Sequence, residues 1–171
     1  MSILKSVLHE QGLKRFNDSF LDKDSLSYID QAICHFDVDI AVSTQHHIPK
    51  LGRVILIANH PVGALDTLAL LNVITKIRSD IKLVNCPLLC HMPPIESLVL
   101  PYDKNTSQTA EQFDHLCQHL KDEGILVIFP ASDVASFSPL RFKDGHWQSD
   151  FLRIAEQTNA PILPAHIHPK K

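Results

Sequence analysis

Arg53-Val-Ile-Leu-Ile-Ala58 is a short apolar run, rich in β-branched residues, that breaks off at Asn59-His60-Pro61. It shows no apolar–polar alternation, so a strand built from it has no face to offer water and must be covered on both sides. Ile125 to Phe129 reads the same way. Helical patterns lie between such strands, and the alternation predicts an α/β fold with a largely parallel central sheet flanked by helices. In sheets of this kind, chemistry gathers just beyond the carboxyl ends of the strands. Two unusual segments fall there: Asn59 to Asp66 and Pro130 to Ser136.

Around these strands the chain divides into an N-terminal helical segment, 1–36, and a core, 37–171. Ile3 to Phe20 carries Ile3, Leu4, Val7, Leu8, Leu13, Phe16 and Phe20 near one helical face, with Lys5, Lys14 and Arg15 among them. Such a helix can pack on the sheet or lie on an anionic membrane surface. A second helix is expected from about Ser25 to Phe36, and a half-buried strand over Asp37 to Ser43, where Val38, Ile40 and Val42 alternate with polar residues. Beyond the central strand come a helix over Ala64 to Ile77, a strand over Ile81 to Asn85, a Pro-punctuated loop over Cys86 to Glu96 and an extended piece over Leu98 to Leu100. An amphipathic helix from about Ser107 to Asp122 follows, with Gly124 as its C-terminal stop. After the second apolar strand, a helix over Ser149 to Gln157 and a strand over Pro161 to Ile167 complete the pattern.

The 171 residues suffice for one core. A net charge of -3 gives no electrostatic footprint for nucleic acid, which asks for clustered Lys and Arg. The start of the chain lacks a sustained apolar stretch and a small-residue cleavage site, so no secretory signal is read. No run approaches the ~18 apolar residues of a spanning helix. The expectation is a cytoplasmic protein whose membrane contact, if any, is peripheral. Four cysteines among 171 residues are too scattered for a disulfide framework.

His60 leaves a buried strand and is held extended by Pro61. Gly63 permits a sharp turn, and Asp66 falls in the first turn of the next helix. That arrangement can fold the carboxylate back onto one imidazole nitrogen, fixing the tautomer and leaving the other nitrogen to accept a proton. A plainer reading stands beside it: acidic residues suit a helix's first turn because of its dipole, and a strand-end His is often only solvated.

Ala58-Asn-His-Pro-Val-Gly-Ala-Leu-Asp66 resembles the signature block of the glycerolipid and lysophospholipid acyltransferases, and most closely the bacterial hemolysin-like or ornithine-lipid acyltransferase branch. The broad family separates its His and Asp by four residues; here five intervene, as in that branch. The resemblance implies that His60 is the general base, Asp66 its orienting partner, and Asn59 and Gly63 neighbours at the substrate. Ile128-Phe-Pro-Ala-Ser-Asp-Val-Ala-Ser136 resembles the third block, again in the form of that branch, with Ser132 in place of Gly and Asp133 in place of Glu. It implies substrate contacts from Pro130, Ser132 and Asp133. Turn-making through backbone hydrogen bonds is the alternative for Asp133 and Ser136. The broad family's phosphate-gripping Arg is absent from this block, which points away from a phosphomonoester acceptor and toward the hydroxyl of an aminoacyl lipid. Leu98-Val-Leu-Pro-Tyr-Asp103 resembles the second block and makes Asp103 a further acceptor-site residue. Ala160-Pro-Ile-Leu-Pro164 resembles the fourth, although an ordinary edge strand would also carry such prolines.

The implied reaction is transfer of a fatty acyl group from an acyl thioester, of acyl carrier protein or coenzyme A, to a hydroxyl of a lyso-lipid such as lyso-ornithine lipid. It needs no metal or prosthetic group, and it implies peripheral work at the inner face of a membrane. The family's domain normally runs past its fourth block, so the resemblance also implies a core shortened at its C-terminal end. A non-catalytic fragment that binds lipid or acyl chains is the alternative from another class. Cys86, Cys90 and His91, or His166 with His168, invite a zinc reading but lack a second paired element at conventional spacing. No Gly-x-Ser-x-Gly elbow surrounds Ser132 or Ser136, which removes a serine hydrolase.

Overall fold

The computed structural model describes residues 23–43, 47–84, 93–103, 109–131, 136–138, 141–143 and 146–169. The expected helix over Ile3 to Phe20 lies outside them. Five parallel strands form the central sheet: β1 (Val54–Ala58), β2 (Ile81–Val84), β3 (Val99–Leu100), β4 (Ile125–Ile128) and β7 (Ile162–Ala165), in the order β3-β2-β4-β1-β7. The helices are α1 (Ser25–His35), α2 (Ala64–Thr75), the single turn α3 (Pro93–Glu96), α4 (Thr109–Lys121) and α5 (Asp150–Thr158). An antiparallel pair, β5 (Ser136–Ser138) with β6 (Arg141–Lys143), stands apart from the main sheet.

Side-chain parity divides the core into two layers. Val54, Leu56 and Ala58 of β1 join Ile125, Val127 and Phe129 under α1 and α2, which contribute Tyr28, Ile29, Leu68, Leu71 and Ile74. Ile55 and Ile57 join Leu126 and Ile128 under α4 and α5, which contribute Phe113, Leu116, Leu120 and Ile154. Every residue of β1 is buried. At roughly 1.5–3 kcal/mol per buried aliphatic side chain, this strand is the main reason for a two-sided α/β layer. α1 packs its Tyr28, Ile29 and Ala32 into the same core as the sheet.

Several local expectations change. Asp37 to Ser43 is not a strand. α1 ends in a Schellman turn with Asp37 at φ 49, where the Val38 N–H donates to Ile33 and the Asp37 N–H to Cys34. The Val38 donor is therefore committed to the helix end, and the apolar alternation survives only as partial burial of Val38 and Ile40. Within the expected loop 86–96, Pro93 opens α3, where a missing N–H at the first helical position costs nothing. The left-handed residue after α4 is Glu123, at φ 66, rather than Gly124. Gly124 serves close packing instead: a Cβ there would lie 2.3 Å from the His119 ring.

The amino-terminal rim of the sheet is ionic. Arg78 is buried, and its guanidinium donates to Asp80 (2.8 and 2.6 Å) and to the carbonyls of Gly52 (2.7 Å), Glu123 (2.7 Å) and Pro49 (3.2 Å). That guanidinium holds the Asp80 carboxyl below its ordinary pKa. Beside it, Arg53 pairs with Glu123 and donates to the Thr158 carbonyl at 2.9 Å. One lattice thus joins the lead-ins to β1, β2, β4 and β7.

Candidate active site

At the opposite rim, β1 gives way to His60 and Pro61. β4 neighbours β1, with Ile57 level with Ile128, so the segment after Ile128 lies alongside the segment after Ile57. The His60 ring packs on Phe129, the first residue past β4, with centroids 4.4 Å apart and planes tilted by 32°. Phe129 belongs to the layer covered by α1 and α2, which places the imidazole on the side from which α2 departs.

Gly63 precedes α2 at φ 108, ψ -138, a conformation essentially reserved for glycine. It turns the chain so that Asp66, in the first turn of α2, faces back. The Asp66 Oδ2 accepts from the backbone N–H of Val62 (2.6 Å) and of Gly63 (2.9 Å). The same oxygen stands 3.4 Å from His60 Nδ1. This is ion-pair range, somewhat longer than a hydrogen bond. The side chains are only 10% and 5% exposed, so water screens the pair weakly. A carboxylate fixed by two amides at Nδ1 leaves Nε2 as the nitrogen that can receive a proton. The elements expected to meet do meet.

The other expected residues divide. Asn59 directs its amide at the backbone of Ile167, with Nδ2 donating to the carbonyl at 2.8 Å and Oδ1 accepting from the N–H at 2.6 Å. Pro130 is buried at the end of β4, and its carbonyl accepts from Gln148 N–H at 3.0 Å. Asp103 is exposed past β3, where its N–H meets Gln112 Oε1 at 2.8 Å and its carbonyl accepts from Thr109 at 2.7 Å. β2 and β4 intervene between β3 and β1, so Asp103 sits roughly 14 Å across the sheet from the His60 strand at about 4.8 Å per strand. Ser132 and Asp133 lie outside the described residues, as do Cys86, Cys90 and His91. His166 and His168 stack with centroids 6.3 Å apart. Among the described residues no three His, Cys, Asp or Glu side chains are grouped to hold a metal, and no helix is long and apolar enough to cross a membrane.

Two participants were not singled out from the sequence. Phe129 supplies the surface on which the imidazole rests, and its alternation with Ile125 and Val127 is the signal that could have assigned its face. Ile167 takes part through its peptide group, which no side-chain pattern could reveal.

A family model described as Acyltransferase matches residues 1–170. A lyso-glycine lipid O-acyltransferase of Phocaeicola vulgatus is 21% identical over 167 residues, covering 97% of this chain and 60% of the relative. A lyso-glycine lipid O-acyltransferase of Bacteroides thetaiotaomicron is 23% identical over 168 residues, covering 97% and 61%. The crystal structure of the 1-acyl-sn-glycerophosphate (LPA) acyltransferase PlsC from Thermotoga maritima superposes with a TM-score of 0.59 at 20% identity, covering 95% of this chain and 63% of that one. The chain therefore spans about three-fifths of the length of these relatives. The parallel sheet with its flanking helices is the fold seen in the solved neighbour, and the match over 1–170 places the chain in the acyltransferase family.

Proposed function

We propose that the chain forms the catalytic core of an O-acyltransferase that moves a fatty acyl group from an acyl thioester to a hydroxyl of a lyso-lipid bearing an amino-acid headgroup. The observation that carries this reading is the buried His60–Asp66 pair, 3.4 Å apart at the carboxyl rim of a parallel sheet. The acceptor hydroxyl lies against His60 Nε2. The imidazole takes its proton as the oxygen attacks the thioester carbonyl, and Asp66 steadies the imidazolium. The tetrahedral intermediate then collapses, its C–S bond breaks, and the thiolate leaves with the proton returned from His60. The N–H groups of Val62 and Gly63 are spent on Asp66, which leaves those of Ala64 and Leu65, at the start of α2, to receive the oxyanion.

The names of the two curated relatives, lyso-glycine lipid O-acyltransferases, favour an aminoacyl acceptor, and so does the absence of Arg after Phe129-Pro130. Glycine and ornithine headgroups share a free carboxylate, and either fits this reading. The donor is a thioester of coenzyme A or acyl carrier protein, met by a peripheral protein at the inner membrane face. The test incubates the purified chain with each donor and with lyso-glycine lipid, lyso-ornithine lipid or lysophosphatidic acid, following thiol release and the diacyl product by mass spectrometry. The expected result is acylation of an aminoacyl acceptor that His60→Ala abolishes. Faster acylation of lysophosphatidic acid overturns the acceptor class. Lipid binding without turnover by any pair overturns the enzyme and leaves a lipid-binding fragment.

A further inference from the structure

We infer that Asn59 is a positioning residue: its side-chain amide supplies the ladder rung that β1 gives up where His60 leaves the sheet, and so fixes the imidazole over Phe129 and within reach of Asp66. The inference rests on the proposed role of His60 as base. The β1–β7 ladder ends at Ala58 level with Ala165. Beyond that point β1 must break away, because Pro61 has no N–H to pair and Gly63 turns the chain into α2. The segment after β7 does not break away with it, and the Ile167 peptide still needs partners for its donor and its acceptor. Asn59 meets both, at 2.8 and 2.6 Å.

Only a carboxamide can do this. It carries a donor and an acceptor in the geometry of a peptide group, whereas an ionised Asp only accepts and would face the Ile167 carbonyl with its charge. Gln carries the same groups on a longer stem. The clamp uses one of the two Nδ2 hydrogens and one of the two Oδ1 lone pairs, and it ties the orientation of the whole amide plane to the Ile167 peptide. Its neighbour His60 is thereby bracketed, by a pinned residue before it and a φ-locked Pro61 after it. A base that must meet a hydroxyl in line with an acyl carbon needs that bracket, because a misplacement of about 1 Å costs on the order of 10²-fold in rate.

The test compares Asn59→Ala, Asn59→Asp and Ile167→Pro, which deletes the N–H that Asn59 accepts. Ile167→Ala keeps the peptide group and controls for the side chain. Imidazole ¹⁵N spectra, with the His60 signals assigned through His60→Gln, read the tautomer whether or not turnover occurs, and thermal melts normalise for folded protein. Expected in the wild type is a His60 ring protonated at Nδ1. In Asn59→Ala and Ile167→Pro the expected ring is a tautomer mixture. Their kcat should fall on the order of 10²-fold at unchanged acceptor KM, and the double variant should be no slower than the slower single. An unchanged His60 spectrum in Asn59→Ala overturns the inference, as does a loss carried by acceptor KM or a multiplicative double variant. Absence of wild-type turnover sinks only the proposed function, and the spectra still decide the clamp.

Discussion

Replacing Asp66 with Asn removes one charge and almost no volume. In the native site Asp66 Oδ2 holds two amide donors and stands 3.4 Å from His60 Nδ1. An imidazolium at that distance from a carboxylate gains about 5 kcal/mol at an effective dielectric of about 20, and about 1 kcal/mol in bulk water. Since each 1.4 kcal/mol is tenfold in rate, kcat should fall between about 10-fold and about 3,000-fold. The exposures of 10% and 5% place the pair nearer the upper figure. The fold should suffer far less. A first-turn carboxylate contributes about 0.3–1 kcal/mol to its helix, and in a domain of this size each kcal/mol moves Tm by about 2–4 °C. The assay is thiol release under saturating donor and acceptor, with a melt on the same sample. A kcat within twofold of wild type, accompanied by a lowered Tm, would show that Asp66 only caps α2 and would refute the pairing as chemistry.

Thr67 is fully buried, and among the described residues its hydroxyl has no hydrogen-bond partner. Thr67→Val should therefore stabilise by about 1–2 kcal/mol, read as a higher urea midpoint at unchanged m-value. Arg78→Met leaves Asp80 and three backbone carbonyls without their donor, and should cost about 3–5 kcal/mol with little change in kcat per folded molecule. His119 is held below its ordinary pKa of 6.5, first by burial, against a favourable contact with the Ile125 carbonyl and with Lys82 and Asp80 nearby. The unfolded imidazole thus takes up a proton before the folded one does. Stability from this group is complete above pH 6.5 and declines as pH falls below it; His119→Gln should flatten that limb of a pH–Tm curve.

The parts of the fold that could be read from residues were those set by burial on two faces. Val54 to Ala58 and Ile125 to Ile128 are short, β-branched and apolar on both faces, which favours a covered parallel strand, and α4 follows from its amphipathic period. What escaped was decided by competition for backbone donors. Val38 alternates like a strand residue, but the end of α1 captured its N–H. Glu123 accepted the left-handed position that Gly124 was expected to fill because Gly124 was already required beneath His119. In the site, the His60–Asp66 spacing and the turn at Gly63 were legible because proline and glycine fix backbone angles locally. The Asn59–Ile167 clamp was not, since it joins residues 108 positions apart through a peptide group that any side chain would carry.

The Arg78 lattice lies on the rim facing away from His60. Evolution and protein engineering therefore meet two separable territories in one small sheet. Sequence can drift or be redesigned around the rim that carries His60 while the anchorage of the four strand entrances stays untouched. The His60 rim of such a scaffold is free to diversify without renegotiating whether the chain folds.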